Sequence, residues 1–230
     1  MNVSVIIPVY NEAKTIFEIL RRIEKVGLAN EIIIVDDGST DGTSDVLKNV
    51  SGGLYKIMHK RKNEGKGSAI REGLKHVTGD IVIIQDADLE YSPKDYPALI
   101  EPIISGKADV VYGSRWLLHG LSRVPLNVFK IGRWLVTFLT NLLYHTNITD
   151  EPCGYKVFKT DIIKRIPLQC KRFEFCPEIT AKVSRSGYKI YEVPINYKAR
   201  KVSEGKKITY RDGLEAIVVL VKYTFWKPKS

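Results

Sequence analysis

Four short runs in the first half of the chain stay apolar through their centres instead of alternating: Val3–Val9, Glu31–Val35, Ile81–Ile84 and Ala108–Tyr112. A strand with one wet face alternates, so runs of this kind are buried on both faces, as in a parallel sheet covered by helices. The intervening segments supply those helices. Glu12–Val26 spaces Ile16, Ile19, Leu20 and Ile23 helically, Thr43–Lys48 reads as a short helix, and Gly65–His76 carries Ile70 and Leu74. A weaker strand falls near Tyr55–His59. Ser92-Pro93 opens a further helix, with Ser as N-cap and Pro at the first helical position. The pattern is α/β with a mostly parallel central sheet. In such sheets ligands sit beyond the carboxyl ends of the strands, where strand order reverses. Every unusual polar cluster falls at such an end: Pro8-Val9-Tyr10-Asn11-Glu12, Asp36-Asp37-Gly38, Asp86-Ala87-Asp88 and Gly113-Ser114-Arg115.

The second half differs. Val128–Tyr144 is rich in leucines and aromatics with Arg123, Lys130 and Arg133 nearby, and residues 188–195 look like a strand leading into the basic segment YKARKVSEGKKITYR. Leu214, Ile217, Val218, Val221 and Phe225 mark one face of a C-terminal helix. With 44% hydrophobic and 27% charged residues the chain is globular rather than disordered. A net charge of +10 suits a polyanion, an anionic membrane surface or a phosphorylated substrate. No nucleic-acid-binding module is recognisable, so nucleic acid is not an expected partner. Cys153, Cys170 and Cys176 have no metal-ligand spacing and form no disulfide framework, which points to reduced thiols and a cytosolic compartment. The N-terminus has no signal-peptide pattern. No run reaches the roughly 18 to 20 apolar residues that span a bilayer.

The chemistry gathers where Ile81–Ile84 ends. Asp86, Asp88 and Glu90 repel one another at alternate positions and ask for a positive partner. Hard divalent cations take oxygen ligands, and Mg²⁺ often uses one or two carboxylates plus substrate phosphates. D-x-D alone also fits a solvated acidic loop ahead of a helix. Arg115 follows another strand end and suits a diphosphate. Arg200, Lys206 and Lys207 read either as a lid over phosphates or as a solvated basic face. NEGKGSAI lacks the phosphate-loop spacing and reads as a tightly packed helix start.

Taken together, VIIPVYNE, IIIVDDGSTDGT, GDIVIIQDADLEY, VVYGSR and EVPINYKAR…EGKKI resemble family 2 glycosyltransferases of the GT-A fold, and within them the dolichol-phosphate mannose and polyprenyl-phosphate glucose synthase branch. The resemblance covers nearly the whole chain. It implies one domain over 1–230, with a nucleotide-sugar-binding half at 1–117 and an acceptor half at 118–230. It implies that Pro8, Tyr10, Glu12 and Asp37 contact the nucleoside, that Asp86 and Ala87 lie near the ribose and metal, and that Asp88 binds Mg²⁺ or Mn²⁺. Glu90 matches a position where relatives often carry a metal ligand. Arg115, Arg200 and Lys207 would hold phosphates of donor or acceptor. The C-terminal transmembrane helices of part of that branch have no counterpart here, which puts the acceptor in question more than the donor.

Two acceptor classes stay open. A polyprenyl phosphate is already anionic and needs no strong base, and direct displacement inverts the anomeric carbon. A saccharide or protein hydroxyl needs a base, for which Asp150 and Glu178 are the candidates. Glu178 also reads as helix support at PEI. The helices near 128–144 and 214–225 read as membrane-interface elements or as core. The expected setting is peripheral, on the cytoplasmic face of a membrane, with a membrane-protein partner as a further possibility.

Overall fold

The computed structural model describes residues 1–119, 128–200, 207 and 209–228. Arg123 and Lys206 lie outside them. In chain order the first half contains β1 (Val3–Val9), α1 (Ile16–Val26), β2 (Glu31–Asp36), α2 (Thr43–Lys48), β3 (Tyr55–His59), α3 (Lys66–Leu74) and β4 (Ile81–Ile84). There follow α4 (Tyr96–Ile104), β5 (Val110–Ser114), α5 (Arg115–His119), α6 (Val128–Tyr144), β6 (Lys156–Lys159), α7 (Thr160–Arg165), α8 (Phe175–Arg185), β7 (Ile190–Pro194) and α9 (Tyr210–Tyr223). One seven-stranded sheet runs in the order β3-β2-β1-β4-β6-β5-β7. All pairings are parallel except those of β6, which lies antiparallel to both β4 and β5.

Burial on both faces follows directly from the apolar runs. In β1, Val3, Val5, Ile7 and Val9 face α1 and α4, together with Ile32, Ile34, Ile81 and Ile83. The intervening Ile6, Ile33, Val35, Val82 and Ile84 face Ala69 and Ile70 of α3 and Phe175, Ile179 and Val183 of α8. A third cluster joins α6, α8 and α9 through Val136, Tyr144, Ala181, Ala216 and Leu220.

Some boundaries differ from the sequence expectations. The first helix starts at Ile16 rather than Glu12: residues 13–15 form a turn, closed by the Thr15 amide on the Glu12 carbonyl, before the regular helix begins. Ser92 makes no side-chain cap, and Pro93–Asp95 forms a 3₁₀ turn ahead of α4. The last helix starts at Tyr210, behind a capping box between Thr209 and Asp212. β6 is not anticipated by the pattern. It has four residues and a lysine at each end, and only its register against Ile83 and Val111 makes it a strand. Among the described residues no helix is long and apolar enough to cross a membrane.

From β1 the chain moves outward to β2 and β3, then crosses to β4 on the other side of β1. Strand order therefore reverses between β1 and β4, and a crevice opens beyond their C-terminal ends.

Candidate active site

Asn11, at φ 51°, turns the chain beyond β1. Its amide donates to Ser39 Oγ at 2.9 Å, and its side-chain oxygen accepts from the Thr40 amide at 2.8 Å, so the loops after β1 and β2 are tied together. Gly38, at φ 73°, is required where this loop meets the one after β3: a Cβ there would lie 2.6 Å from the Lys62 carbonyl carbon. The buried Asp37 holds the loop ahead of α3. Its carboxylate accepts from Lys60 Nζ at 2.6 Å and from the amides of Glu64 and Gly65 at 3.0 and 2.6 Å. Pro8 and Tyr10 are half-buried at the rim, and Lys207 Nζ lies 5.6 Å from the Tyr10 ring centroid.

Glu12 is buried under two cations from the far end of the chain. Its carboxylate accepts from both terminal nitrogens of Arg200 at 3.1 Å and from Lys207 Nζ at 2.8 Å. Burial alone would raise its pKa, but Lys207, Thr15 and Arg200 outweigh that and hold it below the usual range. Lys207 also donates to the Tyr10 carbonyl.

Across the crevice, Asp88 accepts from Arg200 Nη2 at 2.9 Å and from the Glu90 amide at 3.0 Å. Asp86 pairs with Lys66. Ala87 is buried between them in the sheet's core. Glu90 turns toward the segment after β7, accepting from the Arg200 amide at 2.7 Å and Tyr197 Oη at 3.1 Å. The positive partner demanded by alternate carboxylates is thus visible as Lys66 and Arg200. Burial, followed by the charges of Asp86 and Glu90, still pushes the Asp88 carboxyl up to about 7. Negative charge is in surplus around Asp88, which fits a divalent cation held by Asp86 and Asp88. Among the described residues no three carboxylate, histidine or cysteine side chains converge as a metal cluster. The fit is therefore the two-carboxylate kind that draws its remaining ligands from phosphate and water.

Arg115 and Asp150 form a second, buried centre. Arg115 donates from Nε to Asp150 Oδ2 at 2.6 Å, from Nη2 to Oδ1 at 2.7 Å, and from its amide to Oδ2 at 3.0 Å. Burial opposes the guanidinium charge, but Asp150 outweighs it and keeps the group firmly protonated. Glu192, on β7, holds Asp150 in turn by accepting from the amides of Thr149 and Asp150 at 2.6 and 3.1 Å. Arg115 lies 5.0 Å from the Tyr197 ring centroid, and Tyr197 reaches Glu90, so the two centres are linked. Glu178 sits elsewhere, accepting from the amides of Gln169 and Cys170, from Lys182 and from Tyr223.

Sequence reasoning missed Lys66 and Tyr197. Lys66 stands between two glycines that pack against residues 170–172, and this close approach aims it at Asp86. A lone lysine between glycines was the available signal.

The Glycosyl transferase family 2 model matches residues 4–166. The chain is 31% identical over 236 residues to the dolichol-phosphate mannosyltransferase of Pyrococcus furiosus, a match covering 97% of this chain and 64% of that protein. It therefore spans slightly less than two thirds of that relative. It is 29% identical over 215 residues to the undecaprenyl-phosphate mannosyltransferase of Micrococcus luteus, covering 90% of this chain and 87% of that one. The crystal structure of glucosyl-3-phosphoglycerate synthase from Mycobacterium tuberculosis, in complex with Mn²⁺, UDP and phosphoglyceric acid, superposes with a TM-score of 0.73 at 20% identity. That match covers 100% of this chain and 80% of the other, and it bears on the fold, which is of the GT-A type. With the family model spanning most of the sheet and every strand-end cluster up to Asp150, the chain belongs to glycosyl transferase family 2 and is a glycosyltransferase.

Proposed function

We propose that this glycosyltransferase moves a hexose, mannose or glucose, from a GDP- or UDP-sugar to a polyprenyl phosphate of the dolichyl type, with inversion, at the cytoplasmic face of a membrane. The observation that carries the reading is the convergence of Glu12, Asp86 and Asp88 with Lys66, Arg200 and Lys207 at the reversal of strand order. The names of the Pyrococcus and Micrococcus relatives support a polyprenyl phosphate as acceptor. Residues 1–117 serve as the nucleotide-sugar half and 118–230 as the acceptor half, with Arg200 and Lys207 reaching back onto the donor.

In this reading Pro8, Tyr10, Glu12 and Asp37 frame the nucleoside. Asp86 and the backbone at Ala87 meet the ribose. Asp88, with Asp86, would hold Mg²⁺ or Mn²⁺, which when bound stabilises charge on the leaving diphosphate as a Lewis acid. Arg200 and Lys207 add fixed positive charge to that diphosphate. Glu90, a third ligand or the support of one, also clamps the Tyr197–Arg200 segment, its two oxygens accepting from Tyr197 Oη and the Arg200 amide. Arg115, fixed by Asp150, faces the acceptor phosphate. Burial, followed by the charge of the neighbouring Arg115, pushes the Arg133 guanidinium below its ordinary value, so positive charge is concentrated beside Arg115. The phosphate oxygen attacks the anomeric carbon, the bond to the diphosphate breaks, and its electron pair leaves with the nucleotide. No proton moves. A hydroxyl acceptor is less well served, since Asp150 and Glu178 already accept from several donors each.

The test is a transfer assay with Mg²⁺ or Mn²⁺, labelled GDP- and UDP-sugars and a polyprenyl phosphate. Label from one donor should enter the organic phase and EDTA should abolish it. Metal-dependent nucleotide binding without lipid labelling would sink the acceptor assignment. A second expectation concerns Gly154. A Cβ there would collide with Asp86 Oδ2 and lie 2.9 Å from the Tyr91 ring. Displacing Asp86 from Lys66 in Gly154→Ala should cost turnover on the order of a hundredfold, measured under donor saturation.

A further inference from the structure

Gln85 is the first residue beyond the apolar run of β4 and the last one the sheet holds. Its amide still donates to the Ile6 carbonyl of β1 at 2.9 Å. Its side chain is 0% exposed, where a primary amide is costly unless it is hydrogen-bonded. Two tyrosines from different elements use the oxygen. Tyr96 Oη of α4 donates to Gln85 Oε1 at 2.8 Å, and Tyr155 Oη, just ahead of β6, donates to the same atom at 2.7 Å. Burial lifts both phenols well above the ordinary tyrosine pKa, so they stay protonated donors.

The nitrogen is thereby left for one neighbour. Gln85 Nε2 donates to the backbone carbonyl of Asp86 at 2.9 Å. The reversed amide would set Oε1 against that carbonyl oxygen, two acceptors with no hydrogen between them, so the network fixes which end faces Asp86. Among the described residues no backbone amide donates to the Asp86 carbonyl. The side-chain bond therefore takes the place of the sheet ladder one residue beyond its end. The following peptide is trans, so turning its carbonyl toward Gln85 turns the Ala87 N–H the opposite way. One bond sets the backbone from which Asp86 and Asp88 project.

We infer that Gln85 is a positioning residue for the reaction. Through the Asp86 carbonyl, with Tyr96 and Tyr155 fixing its amide, it holds the Asp86–Asp88 turn in the geometry that receives the divalent cation and the nucleotide. It touches neither of them. This role rests on the reading of Asp86 and Asp88 as cation ligands. Hydrogen bonds that orient such ligands commonly govern metal affinity by about 10- to 100-fold.

The experiment compares wild type, Gln85→Met and Gln85→Met/Tyr96→Phe/Tyr155→Phe as full chains. Each is melted, and each is titrated with Mn²⁺ alone, followed by the electron paramagnetic resonance signal of the free ion. Gln85→Met strands two phenols and a carbonyl, so it should melt about 10 °C lower and bind Mn²⁺ about tenfold more weakly. The triple variant removes the phenols as well, and most of the thermal stability should return, because deleting both partners of a buried hydrogen bond is far less costly than deleting one. The Asp86 carbonyl still has no donor there, so Mn²⁺ affinity should stay about tenfold down. That split separates positioning from support of the fold. Mn²⁺ affinity that recovers together with stability would overturn the inference, as would a Gln85→Met protein that binds Mn²⁺ as wild type does. A triple variant that does not fold would make the trio core support and overturn it too. A wild type that takes up no Mn²⁺ sinks the cation reading instead, and GDP and UDP binding then decides the role of Gln85. A triple variant about tenfold weaker than wild type for the nucleotide supports that role, and equal binding ends it.

Discussion

Asp88→Asn should lower sugar transfer by about a thousandfold or more, the scale of losing a charge-stabilising group aimed at the leaving diphosphate, and should not unfold the protein. Arg200 loses one carboxylate but keeps both contacts to Glu12. The native state should even gain. Burial, Asp86 and Glu90 push the Asp88 carboxyl up to about 7, so the folded protein holds a proton that the unfolded chain releases near pH 4. Where the native state binds more protons, stability falls as pH rises. This contribution is therefore fully present below the unfolded value and is lost between about pH 4 and about 7. Asparagine carries no such dependence. Melting curves without divalent metal should show the variant's advantage over wild type widening across that window. Unchanged turnover would remove Asp88 from the metal site, and a variant that fails to fold would make its role structural.

The strands that build the crevice were legible because burial on both faces leaves an unmistakable run, as in Ile81–Ile84, and the acids that follow cannot belong to the core. The limits of that reading are equally physical. β6 has only Val157 and Phe158 between two lysines, and it survives as a strand because Lys156 finds partners no local pattern contains. Its Nζ donates to the Glu151 carbonyl and lies 3.5 Å from the Tyr112 ring centroid. Glu90 shows the same limit within the site. Its spacing from Asp86 and Asp88 suggests a shared ion, yet its partners Tyr197 and Arg200 lie 107 and 110 positions further along. Lys66 was read as part of a tight helix start, and the tight packing is present. What the linear pattern omits is the direction in which that packing sends the side chain. Charge surplus at a strand end is a local property, whereas the identity of the neutralising group depends on topology.

Removing Asp150 should have the largest effect on stability of any change near the site. Asp150→Ala leaves the Arg115 guanidinium buried with no opposite charge, a situation that costs about 3–5 kcal/mol. In a domain of this size that corresponds to a melting temperature lower by about 10 °C. The size of the loss reflects the abandoned charge more than the value of the bond, and a second variant separates the two. Arg115→Met/Asp150→Leu removes both charges and fills similar space, so most of the stability should return. Recovery should be incomplete, because the Arg115 amide also donates to Asp150 and loses that partner, a deficit of about 1–3 kcal/mol. The double variant then isolates the chemistry. With Glu12, Asp88, Arg200 and Lys207 untouched, it should bind nucleotide sugar as wild type does and fail to label polyprenyl phosphate. Lipid labelling by a folded double variant would show that Arg115 is an anchor of the loop between α6 and β6 and does not hold the acceptor phosphate. A double variant no more stable than Asp150→Ala would mean that the pair contributes through its specific hydrogen bonds, with the buried charge already tolerated by the Tyr197 ring.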